Sequence, residues 1–479
     1  MESRNPRLIQ GGMGIGVSGW RLAREVSKTG HLGVVSGVGI TQVFARNLQN
    51  GDIGGHMRRA LEHFPTPEIA QRVLKKYYVE AGRAAKERFR QLPKFTIKPP
   101  RELTELCVCA SFTEVWLARE GHDNPVGMNL LEKIQMQHLP SLYGAMLAGV
   151  AYVLMGAGIP TQIPGALDTL ALHQPSSYRL SVDGAGPEDD FRSTFDPSTI
   201  LPLGAAPLKR PQFLAIISSA TLGLMLKNKS SGVVNGFVVE SPTAGGHNAP
   251  PRGKAQFNER GEPIYGERDL VDFAKMRELD LPFWLAGSYA KPERWQEVMA
   301  TGAQGIQAGS IFALCDESGL VPAIRKELRR AAYRKELNIV TDARASSSGF
   351  PFKVAALPGS LADQGVFEAR TRICDIGYLQ SLYKKEDGTI GYRCSAEPTE
   401  VYVAKGGKLE ATEGTKCLCN GLMADIGLPQ VFKDGDFERP LVTLGDDYSF
   451  LPHLMKDEND SYSARDAIKY LESGMCNSV

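Results

Sequence analysis

The sequence predicts an α/β fold: a closed (β/α)8, or TIM, barrel with helical insertions and a C-terminal extension. Three observations predict it. Eight apolar runs of strand length recur between Leu8 and Phe312 at the spacing of one strand plus one helix. Helical periodicity follows most of them, and such alternation implies parallel strands. The runs also stop at glycine-rich corners, where a barrel gathers its ligand groups at the strand C-termini.

In chain order, Leu8 to Gly16 (LIQGGMGIG) is a brief strand and a glycine bend. Trp20 to Thr29 reads as an amphipathic helix, and Leu32 to Ser36 is the second run. Strand, turn, helix and strand make a βαβ unit. Gly12, Gly14 and Gly16 have the look of a dinucleotide fingerprint, but the acidic residue needed about 20 positions on is replaced by VVSGVG. The later runs are Pro125 to Leu131, Val150 to Met155, Phe213 to Ser218, Phe237 to Glu240, Phe283 to Ala286 and Gly305 to Phe312.

Two stretches interrupt this pattern. Residues 56–121 have charged helical periodicity, including PEIAQRVLKKYYVEAGRAAKERFRQL, and lengthen the second βα connection. The basic run Lys75 to Arg90 reads as the solvated face of a helix. Cys107 and Cys109 lie on opposite sides of a helix and read as core. Leu170 to Arg210 form a Pro- and Gly-rich insertion after the fourth strand. The barrel unit is therefore residues 1–345, and residues 346–479 are an extension packing on it.

Composition narrows the function. The 479 residues are 42% hydrophobic, enough for a large core, and 55 Lys and Arg against 54 Asp and Glu give a net charge of +1. That balance points away from nucleic acid and anionic membranes, toward a small molecule. No stretch reaches the apolar length of a membrane span, and MESRNPRLIQGG has no signal-peptide core. A cytoplasmic protein is the expectation. Eight cysteines in a chain this long do not make a secreted disulfide scaffold.

The most informative stretch is FVVESPTAGGHNAPPRG, Phe237 to Gly253. An apolar run ends there at Glu240, then at Gly245 and Gly246, which permit close backbone approach to a flat or phosphorylated ligand, and at His247, placed to move a proton. Glu240 reads equally as a catalytic group and as a carboxylate anchoring a loop. The turns after runs seven and eight, AGSYAKP and AGSIF, present Gly287, Ser288, Gly309 and Ser310 at the places where barrels hold phosphate, each leading into a helix N-terminus.

Together, IQGGMGIGVSGWRLAREVSKTGHLGVVSG, MNL at 128–130, ESPTAGGHNAP, LAGSYA and GIQAGSIF resemble the nitronate monooxygenase family, formerly the 2-nitropropane dioxygenases, over about residues 7–345. The resemblance extends to flavin-dependent enoyl reductases. It implies an FMN-containing oxidoreductase in which Gly11, Gly12 and Met13 face the flavin ring. Asn129 would bond the flavin or its ribityl chain, with Gly245 and Gly246 beside it. Gly287, Ser288, Gly309 and Ser310 would hold the FMN phosphate, and His247 would be the active-site histidine. Nitronate oxidation by dioxygen is the first expected reaction. NAD(P)H-dependent reduction of an enoyl thioester is the alternative, and a non-catalytic flavoprotein partner in a biosynthetic complex is the third.

The extension resembles the longer, synthase-associated branch. It opens on SSSGFPFK, a segment able to reach back over the barrel mouth as a lid. Cys374, Cys394, Cys417 and Cys419 fall in one window, where thiolates can bind zinc or an iron-sulfur cluster. Cys-x-Cys is tighter than the usual metal pair, and buried structural thiols are the competing reading. Arg372, Arg393, Lys405 and Lys416 offer a basic surface for an acyl carrier protein. The closing DENDSYSARDAIKYLESG is an acidic turn and short helix suited to docking on a second subunit of a homodimer.

Overall fold

The computed structural model describes residues 5–202 and 204–475. The first four residues and residues 476–479, the ends of the stretches read above, lie outside them, as does residue 203 in the insertion.

Eight parallel strands form the centre: β1 (Leu8–Gln10), β2 (Gly33–Ser36), β3 (Val126–Leu131), β4 (Tyr152–Gly156), β5 (Gln212–Ile217), β6 (Gly236–Glu240), β7 (Phe283–Ala286) and β8 (Gly305–Ala308). Their order around the sheet is β1-β8-β7-β6-β5-β4-β3-β2. The ring closes where Gln10 N–H donates to Leu32 O at 2.9 Å and Leu32 N–H to Leu8 O at 3.1 Å. β1 is short, and the Gln10 side chain extends its ladder: Oε1 accepts from Val34 N–H at 3.0 Å.

The strands carry continuous apolar runs because both faces are buried. Ile9, Leu32, Val34, Tyr152, Leu154, Leu214, Val238 and Trp284 pack one another inside the ring. The alternate residues, such as Leu8, Val35, Phe213, Phe237 and Phe283, face the surrounding helices. Trp284 donates its indole N–H to Pro6 O at 2.6 Å.

The insertion over 56–121 contains helices His56–Leu61, Pro67–Tyr77 and Arg101–Arg119. The expected helix through Lys75 to Arg90 ends at Tyr77. Tyr78 turns extended at ψ 131°, Gly82 takes φ +68°, and Arg83 donates to the carbonyls of Ala84, Ala85 and Glu87. The long helix Arg101–Arg119 is buried on nearly all sides, with Cys107 and Cys109 in the core. In the second insertion Ser176–Arg179 pairs antiparallel with Arg192–Phe195.

The extension wraps the barrel. Phe352–Ala355 pairs antiparallel with Ile339–Asp342, and Ser381–Lys384 joins both Ile390–Arg393 and Val182–Asp183 of the second insertion. The closing helix Ala464–Met475 buries Ala467, Ile468 and Leu471 against the barrel side, and Tyr462 OH donates to Ile311 O at 2.7 Å. The short helix expected to dock on a second subunit packs its apolar residues against this chain's own barrel helices. The four cations expected to meet a carrier protein are also used internally. Arg372 donates to Thr399 Oγ1, Ser395 O, Thr412 O and Thr415 O, and Arg393 to Lys405 O. Lys405 pairs with Glu397, and Lys416 is buried over the Phe367 ring. Among the described residues no helix is long and apolar enough to cross a membrane.

Candidate functional site

A cavity of about 230 Å³ sits at the C-terminal ends of the strands. Every ring and phosphate position expected from the sequence lines it: Gly11, Gly12 and Met13 after β1, Asn129 on β3, Gly245, Gly246 and His247 after β6, Gly287 and Ser288 after β7, and Gly309 and Ser310 after β8. Past Glu240 and His247 it adjoins a second cavity of about 250 Å³, lined by Ile159, Ile216, Leu222, Pro250, Arg252, Tyr265 and Phe350. The pair is on the scale of a small-molecule site.

The first corner is braced by a residue absent from the sequence expectations. Ser18 Oγ donates to Gly11 O and accepts from Met13 N–H, both at 2.8 Å. Gly12 must lack a side chain, because a Cβ there would stand 2.3 Å from Asn129 Cβ and 2.9 Å from Val34 Cγ1. Asn129 Nδ2 in turn donates to Gly12 O at 3.0 Å.

The β6 corner is held by the extension. Gly246 N–H donates to Thr443 Oγ1 at 2.8 Å, Lys353 N–H to Gly246 O at 2.9 Å, and Asn248 N–H to Pro351 O at 2.9 Å. A Cβ on Gly245 would come within 2.8 Å of Gly445 N. Buried Lys353 pairs with Asp446 and pins the 443–447 segment. His247 Nε2 lies 2.8 Å from Ser346 Oγ, which lies 2.7 Å from Ser348 Oγ. Phe352 packs edge-on against the imidazole at 4.8 Å. The SSSGFPFK segment thus sits against the expected histidine. Burial holds His247 down to about 4, so the ring is neutral near pH 7.

Glu240 ends β6 and lines both cavities. No hydrogen bond or ion pair engages its carboxyl among the described residues, and burial alone pushes it up to about 8. Asp425, also lining the first cavity, is pushed well above the carboxylate range by burial, and Asp447 pairs with Lys291 at 2.9 Å. Burial thus disfavours the charged form of both Glu240 and Asp425, and the Asp447 carboxylate is matched by Lys291.

FMN suits these residues by two observations. Asn129 Oδ1 and Gln307 Oε1 are buried, line the first cavity and have no partner among the described residues, so they await a donor such as a flavin ring supplies. Gln307, a polar side chain within the apolar run GIQA, went unread in the sequence although its position carries the signal. At the opposite corner, Ser288 takes φ +59° and Gly287 φ +92°, and a Cβ on Gly287 would strike Ser241 Oγ at 2.2 Å. No Lys or Arg lines the first cavity among the described residues, so a phosphate there would rest on amide N–H groups and the Ser288 and Ser310 hydroxyls. The extension shares this corner, since Gly445 N–H donates to Ser310 Oγ at 2.9 Å. Only the turn after β8 runs straight into a helix, Ser310–Ala313. The turn after β7 reaches a 3-10 turn at Pro292–Arg294, a departure from the sequence expectation.

Among the described residues, the cysteines expected to bind metal do not meet as a ligand set. Cys374, Cys394, Cys417 and Cys419 surround a void of about 10 Å³, but among the described residues no three metal-ligating side chains meet as a set. The Cys374 and Cys394 thiols instead interact with each other, which raises the first and lowers the second. Burial dominates the other two and raises both.

No family model and no curated protein matches the chain. Among solved structures it is similar to FabK from Thermotoga maritima, at 14% identity over 99% of this chain and 94% of that one, with a TM-score of 0.48. It is similar to the nitroalkane oxidase from Streptomyces ansochromogenes at 12% identity, 98% and 96% coverage and a TM-score of 0.46. The enoyl reductase domain of MlnA, from the macrolactin biosynthesis cluster of Bacillus amyloliquefaciens, aligns at 11% identity, 98% and 94% coverage and a TM-score of 0.48.

Proposed function

We propose that the protein is an FMN-dependent oxidoreductase. The observation that carries this reading is the convergence of five separate strand corners on one cavity containing two unpartnered buried acceptors, Asn129 Oδ1 and Gln307 Oε1. Bound FMN would supply the two-electron chemistry that these side chains cannot perform. Gly11, Gly12, Met13, Asn129, Gly245 and Gly246 would hold its ring and ribityl chain, and Gly287, Ser288, Gly309 and Ser310 its phosphate. The protein contributes position, a neutral imidazole at His247 and a sheltered carboxyl at Glu240.

Nitronate oxidation by dioxygen and NAD(P)H-dependent enoyl reduction both suit a flavin beside a neutral histidine. Anaerobic mixing separates them: flavin bleaching by NADPH supports the reductase, and bleaching only by an alkyl nitronate supports the monooxygenase. Bleaching by neither, with flavin bound, favours a non-catalytic partner. The Glu240 carboxyl supports the reductase, because reduction of a double bond consumes a proton, whereas a nitronate arrives already deprotonated. A carrier-protein thioester would have to approach through the outer cavity, past Ile159 and Phe350.

A further inference from the structure

We infer that Glu240 is the proton donor to the substrate, and that the substrate class is an α,β-unsaturated carbonyl compound entering through the outer cavity; this rests on the flavin reading above. Glu240 sits where the two cavities meet, so its carboxyl faces the inner space that fits the flavin and the apolar outer space beyond. It anchors nothing: no hydrogen bond or ion pair engages it among the described residues. A carboxyl left without a structural task at the junction of two cavities is placed for chemistry.

His247 is poorly suited to the same task. Its Nε2 is engaged with Ser346 and its ring is neutral, which makes it a weak acid. The two groups are driven apart, the imidazole neutral by losing its proton and the carboxyl neutral by keeping one, and such a split marks the acid of a pair. Besides His247, the titratable groups lining the two cavities with Glu240 are Arg252, Tyr265 and Asp269 on the outer side, and Asp425, Asp447, Tyr289, Tyr378 and Cys419 on the inner side. Arg252 is held by Ser218 O and Tyr265 by Ala249 O.

Bound FMN, reduced by a nicotinamide, would supply the hydride that the β carbon of the substrate takes up. The carbon-carbon π pair forms a new C–H bond at the α carbon with the proton of Glu240, whose O–H bond breaks. Glu240, left as carboxylate, regains a proton from water through the outer cavity.

Two measurements on wild type and Glu240→Gln test this. The first needs no flavin: melting of the apoprotein between about pH 5 and about pH 9. A carboxyl whose proton is held more tightly in the folded than in the unfolded chain makes wild type lose stability as pH rises from the ordinary Glu range to about 8. Glu240→Gln lacks that loss, so the variant gains relative to wild type as pH rises. Parallel curves overturn the proposal.

The second loads both proteins with FMN, reduces them with dithionite without oxygen, and mixes them with crotonyl-pantetheine. Wild type is expected to reoxidise with a rate that falls above about pH 8, and Glu240→Gln about 100-fold slower with no such pH dependence. Equal rates and equal pH profiles overturn Glu240 as donor while the flavin reading stands. Reduced wild type that is inert to the enoyl thioester overturns the substrate class. Failure of wild type to take up FMN is seen before substrate is added, and removes the underlying reading and this one together.

Discussion

His247 and Ser346, 99 positions apart in sequence, are joined through Nε2 and Oγ at 2.8 Å, so the extension holds the histidine that the barrel presents. Ser346 is buried, and Ser348 Oγ backs it at 2.7 Å. The pairing fixes the imidazole plane and leaves Nδ1 as the nitrogen without a side-chain partner among the described residues.

Ser346→Ala is expected to keep FMN bound but lower kcat roughly 10- to 100-fold, because the imidazole loses its orientation. His247→Ala should stay yellow and lose turnover. Full activity in the histidine variant would remove it from the mechanism. Steady-state kinetics with flavin absorbance read both.

Acid should destabilise the protein through its buried histidines. His247 and His138 are both held down to about 4 by burial, so between the ordinary histidine value and that point the unfolded chain binds more protons than the folded one. Their stabilising effect is complete above about pH 6.5 and is lost as pH falls through that window, at roughly 3 kcal/mol each. Denaturant midpoints between about pH 7 and pH 4 check this, and His247→Gln should remove about half of the slope. An unchanged slope would mean that His247 charges freely in the folded state.

The unpartnered acceptors give opposite effects on the empty and loaded protein. Gln307→Leu is expected to stabilise the apoprotein by about 1 kcal/mol by removing a buried, unsatisfied oxygen. It should also weaken FMN binding about tenfold. Melting with and without FMN reads both effects. A variant that binds FMN as tightly as wild type would place the flavin away from Gln307.

Metal removal should change nothing. Because no three thiols meet around one point among the described residues, dialysis against a chelator is expected to leave the melting temperature where it was. A fall that zinc reverses would restore the metal reading of Cys374, Cys394, Cys417 and Cys419.

The barrel was legible because parallel strands buried on both faces write themselves as unbroken apolar runs; FWLA is β7 without a residue to spare. The site corners were legible because Gly12, Gly245 and Gly287 stand where a Cβ would strike a neighbour. Lys75 to Arg90 misled because charge spacing alone resembles a helical face, whereas Tyr78 and Gly82 break the helix. The fate of the extension was not legible at all. Ser346 against His247, Thr443 against Gly246 and the closing helix against the barrel are contacts between distant residues, and neither composition nor period encodes them.

Titration of the apoprotein with FMN, followed by quenching of flavin fluorescence, tests the central claim most directly. The expected result is saturation at one FMN per chain with a dissociation constant of about 1 μM or below. Fluorescence that stays unquenched at protein concentrations of about 100 μM would contradict it, and the glycine corners would then enclose some other ligand.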